Sequence, residues 1–231
     1  MIKCVIFDFE DTLIKFGQDW SQTASKVKKI YIEAGISEDQ FTLQHIYDAT
    51  AIIDDFHKKI SEIHPVDKIK HVESKADKII QHDEIQGVSG AILLPNAIEI
   101  LEHLKEKGVK IGIVTNNADL PVNLVIDKLN MRKYVNAIIT RSHEGLMKPH
   151  PDHVIACLKM LGCKAEETIL IGDGEVDMMA AKRAGVTAIG YLSQWNKKII
   201  DNWVKDWQKK TKKSADIIIN DLLEVRSLIN R

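Results

Sequence analysis

The sequence predicts an α/β protein, a doubly wound parallel sheet core carrying an inserted all-helical domain. Three observations predict it. From about Ala91 onward, short apolar runs alternate with helical patterns, the signature of a parallel sheet with helices on both faces. The first apolar run, Cys4-Val5-Ile6-Phe7, is separated from the others by a long stretch, 17–86, with helical periodicity and almost no strand pattern. Several apolar runs end abruptly in acids, a hydroxyl or a Gly-Asp pair, and in such sheets the chemistry gathers at the carboxyl ends of the strands.

The run Lys3 to Phe7 is continuous and rich in β-branched and aromatic residues, so it reads as a buried strand. It ends in Asp8, Glu10, Asp11 and Thr12. Like charges placed together gain nothing for folding; such a cluster needs a cation, a shared proton or a role in chemistry. An acidic solvated turn is the plainer alternative for this segment alone. In the stretch that follows, Ser37-Glu38-Asp39-Gln40 resembles a capping box and Pro65 interrupts a long helical pattern. Val72, Ala76, Ile79 and Ile80 fall at helical spacing, which points to bundle core. The expected domains are therefore 1–16 with 87–231 for the α/β core, and 17–86 for a helical cap sitting above the strand ends.

Beyond the insertion, Asn96 to Glu106 reads as a helix with Ile98, Leu101 and Leu104 on one face, stopped by Gly108. Val109 to Thr115 reads as a strand, Leu120 to Leu129 as a helix and Ala137 to Thr140 as a strand. Pro151 to Leu161 is a helix with proline near its first turn. Thr168 to Gly172 is a strand, Val176 to Ala184 a helix and Val186 to Tyr191 a strand. The result is a Rossmann-like doubly wound parallel sheet.

Composition narrows the function classes. The net charge of −1 argues against a dedicated nucleic-acid binder. Cys4, Cys157 and Cys163 are odd in number and lack a CxxC spacing, which suits a reducing cytoplasm better than a disulfide scaffold or zinc site. No apolar run approaches ~20 residues, so no membrane span is expected. The N-terminus enters the first strand directly, leaving no room for a cleavable signal. A cytoplasmic protein is expected.

Four segments end at one edge of the predicted sheet: Asp8 to Thr12; Ile113-Val114-Thr115-Asn116-Asn117; the loop Gly145 to Pro151 around Lys148; and Ile171-Gly172-Asp173-Gly174-Glu175-Val176-Asp177. Thr115 alone would be a helix cap, Asp177 a first-turn acid complementing a helix dipole, and Lys148 a solvated loop residue. Their joint occurrence in this order is what argues for chemistry.

These residues resemble the haloacid dehalogenase-like (HAD) hydrolases, in the phosphoglycolate phosphatase-like branch with a helical C1-type cap. The resemblance lies in Asp8-x-Glu10-x-Thr12, Thr115, Lys148-Pro149 and Gly172-Asp173-x-x-x-Asp177, with Ala181 to Gly185 and the late run Ala215 to Leu222 fitting the same pattern. It implies a phosphatase acting on a small phosphorylated metabolite, with Asp8 as nucleophile and Mg²⁺ as cofactor. The implied metal ligands are Asp8, the backbone carbonyl of Glu10, and Asp173, with Asp177 ligating or orienting. Thr115 and Lys148 would bind and stabilise the phosphoryl oxygens. The backbone N–H groups of Asn116 and Asn117 would add to the phosphate cradle.

One residue departs from the family pattern. Glu10 stands where the acid/base Asp is expected, and Asp11 where Gly is expected. One extra methylene displaces the carboxyl by roughly 1 Å, which can cost on the order of 10²-fold in rate. Three outcomes are open: a slow phosphatase, a phosphatase with an adjusted backbone, or a fold kept for binding or regulation. A phosphomutase of the same branch is the nearest enzymatic alternative. A carbon–halogen hydrolase is disfavoured, because it has no use for the acids Glu10, Asp173 and Asp177. Trp195 to Lys213 reads as a basic amphipathic helix, either packed on the core or presented to an anionic partner or second copy. His143, His150 and His153 flank Lys148 without metal-site spacing.

Overall fold

The computed structural model describes residues 1–41, 49–192 and 209–229. Most of the predicted basic helix Trp195 to Lys213 lies outside the described residues; its last positions fall in a helical segment, 209–214. In chain order the first elements are β1 (Cys4–Phe7), β2 (Ile14–Lys15), α1 (Trp20–Glu33), α2 (Ala49–Ile63) and α3 (Val66–Gly87). Then come β3 (Ile92–Leu93), α4 (Ala97–Glu106), β4 (Lys110–Val114), α5 (Asp119–Lys128), β5 (Ala137–Ile139) and α6 (Asp152–Leu161). The last are β6 (Thr168–Gly172), α7 (Glu175–Arg183), β7 (Thr187–Tyr191), β8 (Ile217–Ile219) and α8 (Val225–Ile229).

The chain divides into two compact units, Met1–Phe16 with Ala91–Arg231, and Gly17–Gly90. The first is built on a parallel sheet of order β5-β4-β1-β6-β7-β8 among the described residues. β1 lies between β4 and β6, Phe7 opposite Ile113 on one side and Ile171 on the other. All of its side chains are fully buried, as its unbroken apolar run requires of a strand covered on both faces. From β1 the chain runs outward to β4 and β5, then returns to β6 and continues outward to β8 on the other side. The winding reverses at β1, so a crevice opens beyond its carboxyl end. Ile6, Leu170, Val154, Leu161 and Met178 share one core cluster from strands and helices, each burial worth about 1.5–3 kcal/mol.

Two features of this unit depart from expectation. The antiparallel pair β2–β3 is too short to leave a periodic signal. Cys4 and Cys163 lie against each other, with Cα atoms 6.5 Å apart, a pairing that their spacing in the sequence does not reveal. They stand 159 positions apart and meet only because the loop after α6 packs into the cluster that holds Cys4. Cys157 is a free, buried thiol, and burial pushes it up to about 12, so it is protonated and inert near neutrality.

The second unit is a three-helix bundle in its described part. Val27, Ile30 and Tyr31 of α1 meet Ile52, Phe56 and Ile60 of α2 and Ile69, Val72, Ala76 and Ile80 of α3. The break expected at Pro65 falls between α2 and α3, with Pro65 just ahead of the first turn of α3. The capping box expected at Ser37 does not form. Glu38–Gln40 is a single 3-10 turn without a side-chain cap, and the Ser37 hydroxyl bonds the Asp39 carboxylate instead. Asp19, not singled out above, caps α1, accepting from Ser21 N at 3.0 Å. Where the chain enters and leaves the bundle, Gly17 N donates to Gly87 O at 2.9 Å. A β-carbon on Gly17 would lie 2.6 Å from Gly90 Cα, so only glycine allows this approach. Among the described residues no helix is long and apolar enough to cross a membrane.

Candidate active site

The site is assembled by hydrogen bonds that extend strand order just past the strand ends. Asp8 N donates to Ile171 O at 2.8 Å and Thr115 N to Ile139 O at 3.0 Å, so both residues are fixed by the sheet. Asp173 follows β6, and its backbone carbonyl accepts from the buried Thr211 hydroxyl at 3.0 Å. Asp177 lies in the first turn of α7, where its Oδ2 accepts from Gly174 N at 3.0 Å, satisfying one of the open N–H groups of the helix start.

Lys148 reaches into these acids from its loop. Its Nζ is 2.6 Å from Asp8 Oδ1 and 2.5 Å from Asp177 Oδ1, with only 2 % of the lysine side chain exposed. Asn116 holds the loop in place: its Nδ2 donates to Lys148 O at 2.9 Å and its Oδ1 accepts from Lys148 N at 3.2 Å. The Lys148–Pro149 peptide is cis. The Thr12 hydroxyl lies 3.4 Å from Asp8 Oδ2 and 3.3 Å from Asp173 Oδ1, and with one proton it donates to one carboxylate at a time.

Carboxylate oxygens of Asp8, Asp173 and Asp177 lie within 4.8 Å of one another, the one such group of potential metal ligands among the described residues. One ammonium cannot neutralise them all. Burial pushes Asp8 up to about 7; Lys148 opposes the rise and Asp177 adds to it. Burial also holds Asp173 well above the usual carboxylate range, with Asp11, Asp8 and Asp177 adding repulsion. Burial would lower Lys148, but Asp177 and Asp8 outweigh it and keep it above the ordinary lysine range. An all-oxygen donor set with excess negative charge is what a hard divalent cation needs, so these residues fit Mg²⁺.

The other predicted site residues take different places. The Glu10 carboxylate is not part of the acidic group; its Oε2 accepts from Asn117 Nδ2 at 3.2 Å. Asp11 adopts φ +58°, the left-handed region that favours glycine or Asn/Asp, and its carboxylate pairs with Lys15 at 3.0 Å. Thr115 Oγ1 donates to Asn117 Oδ1 at 2.6 Å and accepts from Asn117 N at 3.1 Å. α5 begins at Asp119, so residues 116 and 117 form the turn ahead of it. His153 is fully buried in α6, and burial lowers its basicity. Sequence reasoning missed the side chain of Asn117 and the contribution of Thr211. Asn117 stands in a strand-end segment that the sequence did mark, but only for its backbone, and Thr211 lies in no such pattern.

Gly172 closes the packing beneath the acids, because a β-carbon there would land on the Asp177 carboxyl group. Gly172→Ala is therefore expected to push Asp177 off Lys148 and Gly174, lowering turnover on the order of 10²-fold and stability by about 1–3 kcal/mol. Steady-state kinetics with a thermal melt check both.

Against this geometry, a family model described as haloacid dehalogenase-like hydrolase matches residues 2–185. The chain belongs to the haloacid dehalogenase-like hydrolases. A further HAD-hydrolase-like model matches residues 146–225 of this hydrolase. The glyceraldehyde 3-phosphate phosphatase of Methanocaldococcus jannaschii is 30% identical over 227 residues, 95% of this chain and 98% of that protein. The phosphoglycolate phosphatase of Escherichia coli is 30% identical over 107 residues, 46% of this chain and 42% of that protein. Pyrophosphatase PpaX of Oceanobacillus iheyensis is 26% identical over 68% of this chain and 71% of that protein. Among solved structures, a haloacid dehalogenase-like hydrolase from Bacteroides fragilis superposes with a TM-score of 0.68 at 20% identity, covering 97% of this chain and 100% of that one. A hydrolase from Pseudomonas syringae gives 0.65 at 21% identity, covering 99% and 98%.

Proposed function

We propose that this hydrolase is a Mg²⁺-dependent phosphomonoesterase that cleaves a small phosphorylated metabolite through an aspartyl-phosphate on Asp8. The observation that carries the reading is a buried carboxylate at the end of the central strand with a lysine Nζ at 2.6 Å. A carboxylate there can attack phosphorus, and Lys148 supplies fixed positive charge to oxygens that gain charge as the bond to the leaving group breaks. The Thr115 hydroxyl donates to Asn117 Oδ1 at 2.6 Å and would donate to a phosphoryl oxygen only by turning its one proton away from that amide. Asp8, Asp173, Asp177 and the backbone carbonyl of Glu10 would hold Mg²⁺, which when bound offsets repulsion among the acids and polarises the phosphoryl oxygens. Glu10 acts as the acid that protonates the leaving oxygen and as the base that then activates water.

A relative aligned over 95% of this chain is named a glyceraldehyde 3-phosphate phosphatase, which supports a short phosphorylated substrate. The phosphoglycolate phosphatase match covers less than half of either chain and weighs less on substrate choice. A panel of glyceraldehyde 3-phosphate, phosphoglycolate, pyrophosphate and a hexose 1-phosphate, with Mg²⁺ or EDTA, tests the reading. The expected result is Mg²⁺-dependent release of inorganic phosphate, fastest from short monoesters. Turnover unaffected by EDTA sinks it. Isomerised hexose phosphate in place of inorganic phosphate points to a phosphomutase, and silence across the panel to a binding fold.

A further inference from the structure

We propose that Asn117 is a positioning residue for Glu10, holding the carboxyl of this longer acid where it can exchange a proton with the leaving oxygen. The inference rests on the acid/base reading of Glu10 given above. Asn117 is 93 % buried by its 7 % exposure, and its Nδ2 donates to Glu10 Oε2 at 3.2 Å. The orientation of that amide is set from its other end. Thr115 Oγ1 donates to Asn117 Oδ1 at 2.6 Å, Asn117 N donates to Thr115 Oγ1 at 3.1 Å, and Arg141 N donates to Asn117 O at 2.9 Å. The amide nitrogen is thereby aimed at Glu10, and the ends of β1 and β4 are tied through one side chain.

Glutamate needs this more than aspartate would. Its extra torsion adds about three staggered wells, and the amide bond selects among them. The chemistry served is a complete two-step transfer. Asp8 attacks phosphorus, the bond to the leaving oxygen breaks, and that oxygen takes the proton from the Glu10 carboxyl to leave as an alcohol. Water then attacks the aspartyl-phosphate, Glu10 takes its proton, and the bond from phosphorus to Asp8 breaks to release inorganic phosphate.

The test compares wild type, Asn117→Ala, Asn117→Asp, Glu10→Gln and the Asn117→Ala/Glu10→Gln double variant. Each is assayed with Mg²⁺ on p-nitrophenyl phosphate, which has a good leaving group, and on glycerol 2-phosphate, which has a poor one. Asn117→Asp keeps an acceptor for Thr115 but turns an acceptor toward Glu10. Both Asn117 variants are expected to lose roughly 10- to 100-fold in kcat/KM, which reports the first transfer alone, on the poor leaving group and about threefold on the good one, with a melting temperature lowered by several degrees for the lost buried hydrogen bonds. In the Glu10→Gln background, Asn117→Ala is expected to cost less than about twofold more. Losses in kcat/KM that multiply in the double variant overturn the proposal, as does an equal loss in kcat/KM on both substrates or a loss carried by KM with kcat unchanged. Glu10→Gln with full activity overturns the acid/base reading itself. A Glu10→Gln loss beside fully active Asn117 variants overturns the positioning role alone.

Discussion

Asp8→Asn is expected to abolish turnover and, in metal-free buffer above about pH 7, to make the protein more stable. The loss of rate follows from the role proposed for Asp8: the amide cannot form an aspartyl-phosphate, and losses on the order of 10⁴-fold or more attend removal of such groups. The gain in stability follows from burial. Asp8 is raised from 3.8 to about 7 in the folded state, so between these values the folded protein binds more protons than the unfolded chain. Stability therefore falls as pH rises through this window, and the cost is fully present above it. Asparagine removes that cost, while Lys148 keeps Asp177 as its partner at 2.5 Å. The expected rise is roughly 2–6 °C at pH 8, shrinking toward zero near pH 4. Thermal melts in EDTA from pH 4 to 9 measure the gap, and a gap independent of pH refutes the argument. Adding Mg²⁺ is expected to narrow it by stabilising the wild type.

The acids of the candidate site are legible in the sequence, for a physical reason. Asp8 and Asp173 interrupt continuous apolar runs, and a buried strand that stops in an acid announces itself in one dimension. Asp177 follows at helical spacing from a Gly-Asp turn, and all three converge because β1 sits between β4 and β6. What stayed hidden depends on neighbours far apart in the chain. Thr211 reaches the Asp173 carbonyl at 3.0 Å from 38 positions away, and Asn117 reaches Glu10 from 107 away. The Cys4–Cys163 pairing is hidden in the same way. The false capping box at Ser37 has the opposite origin. Its residue pattern is present, but the segment makes only one 3-10 turn, so there is no helix for it to cap.

Lys148→Met is expected to be the most destructive single change in stability, and to cost rate as well. Lys148 contacts Asp8 and Asp177 with almost no exposure to water, and its charge also offsets part of the repulsion between Asp173 and both acids. Removing one partner from a buried ion pair costs about 3–5 kcal/mol, or roughly 10 °C in melting temperature for a chain of this size. The rate is expected to fall on the order of 10²–10³-fold, the usual cost of deleting one fixed stabiliser of transition-state charge. Two further measurements separate electrostatics from lost packing. Lowering the pH from 8 to 5 is expected to return stability to Lys148→Met, because protonation removes the charge that the missing ammonium had balanced. Adding Asp8→Asn to Lys148→Met is expected to recover part of the lost stability at pH 8, since one of the unpaired acids is gone. A packing defect would respond to neither. Mg²⁺ separates the two roles of the lysine: it is expected to restore much of the stability of Lys148→Met, because any cation among the acids relieves their repulsion. It is not expected to restore the rate, because the ammonium that faces the transferred phosphoryl group is still missing.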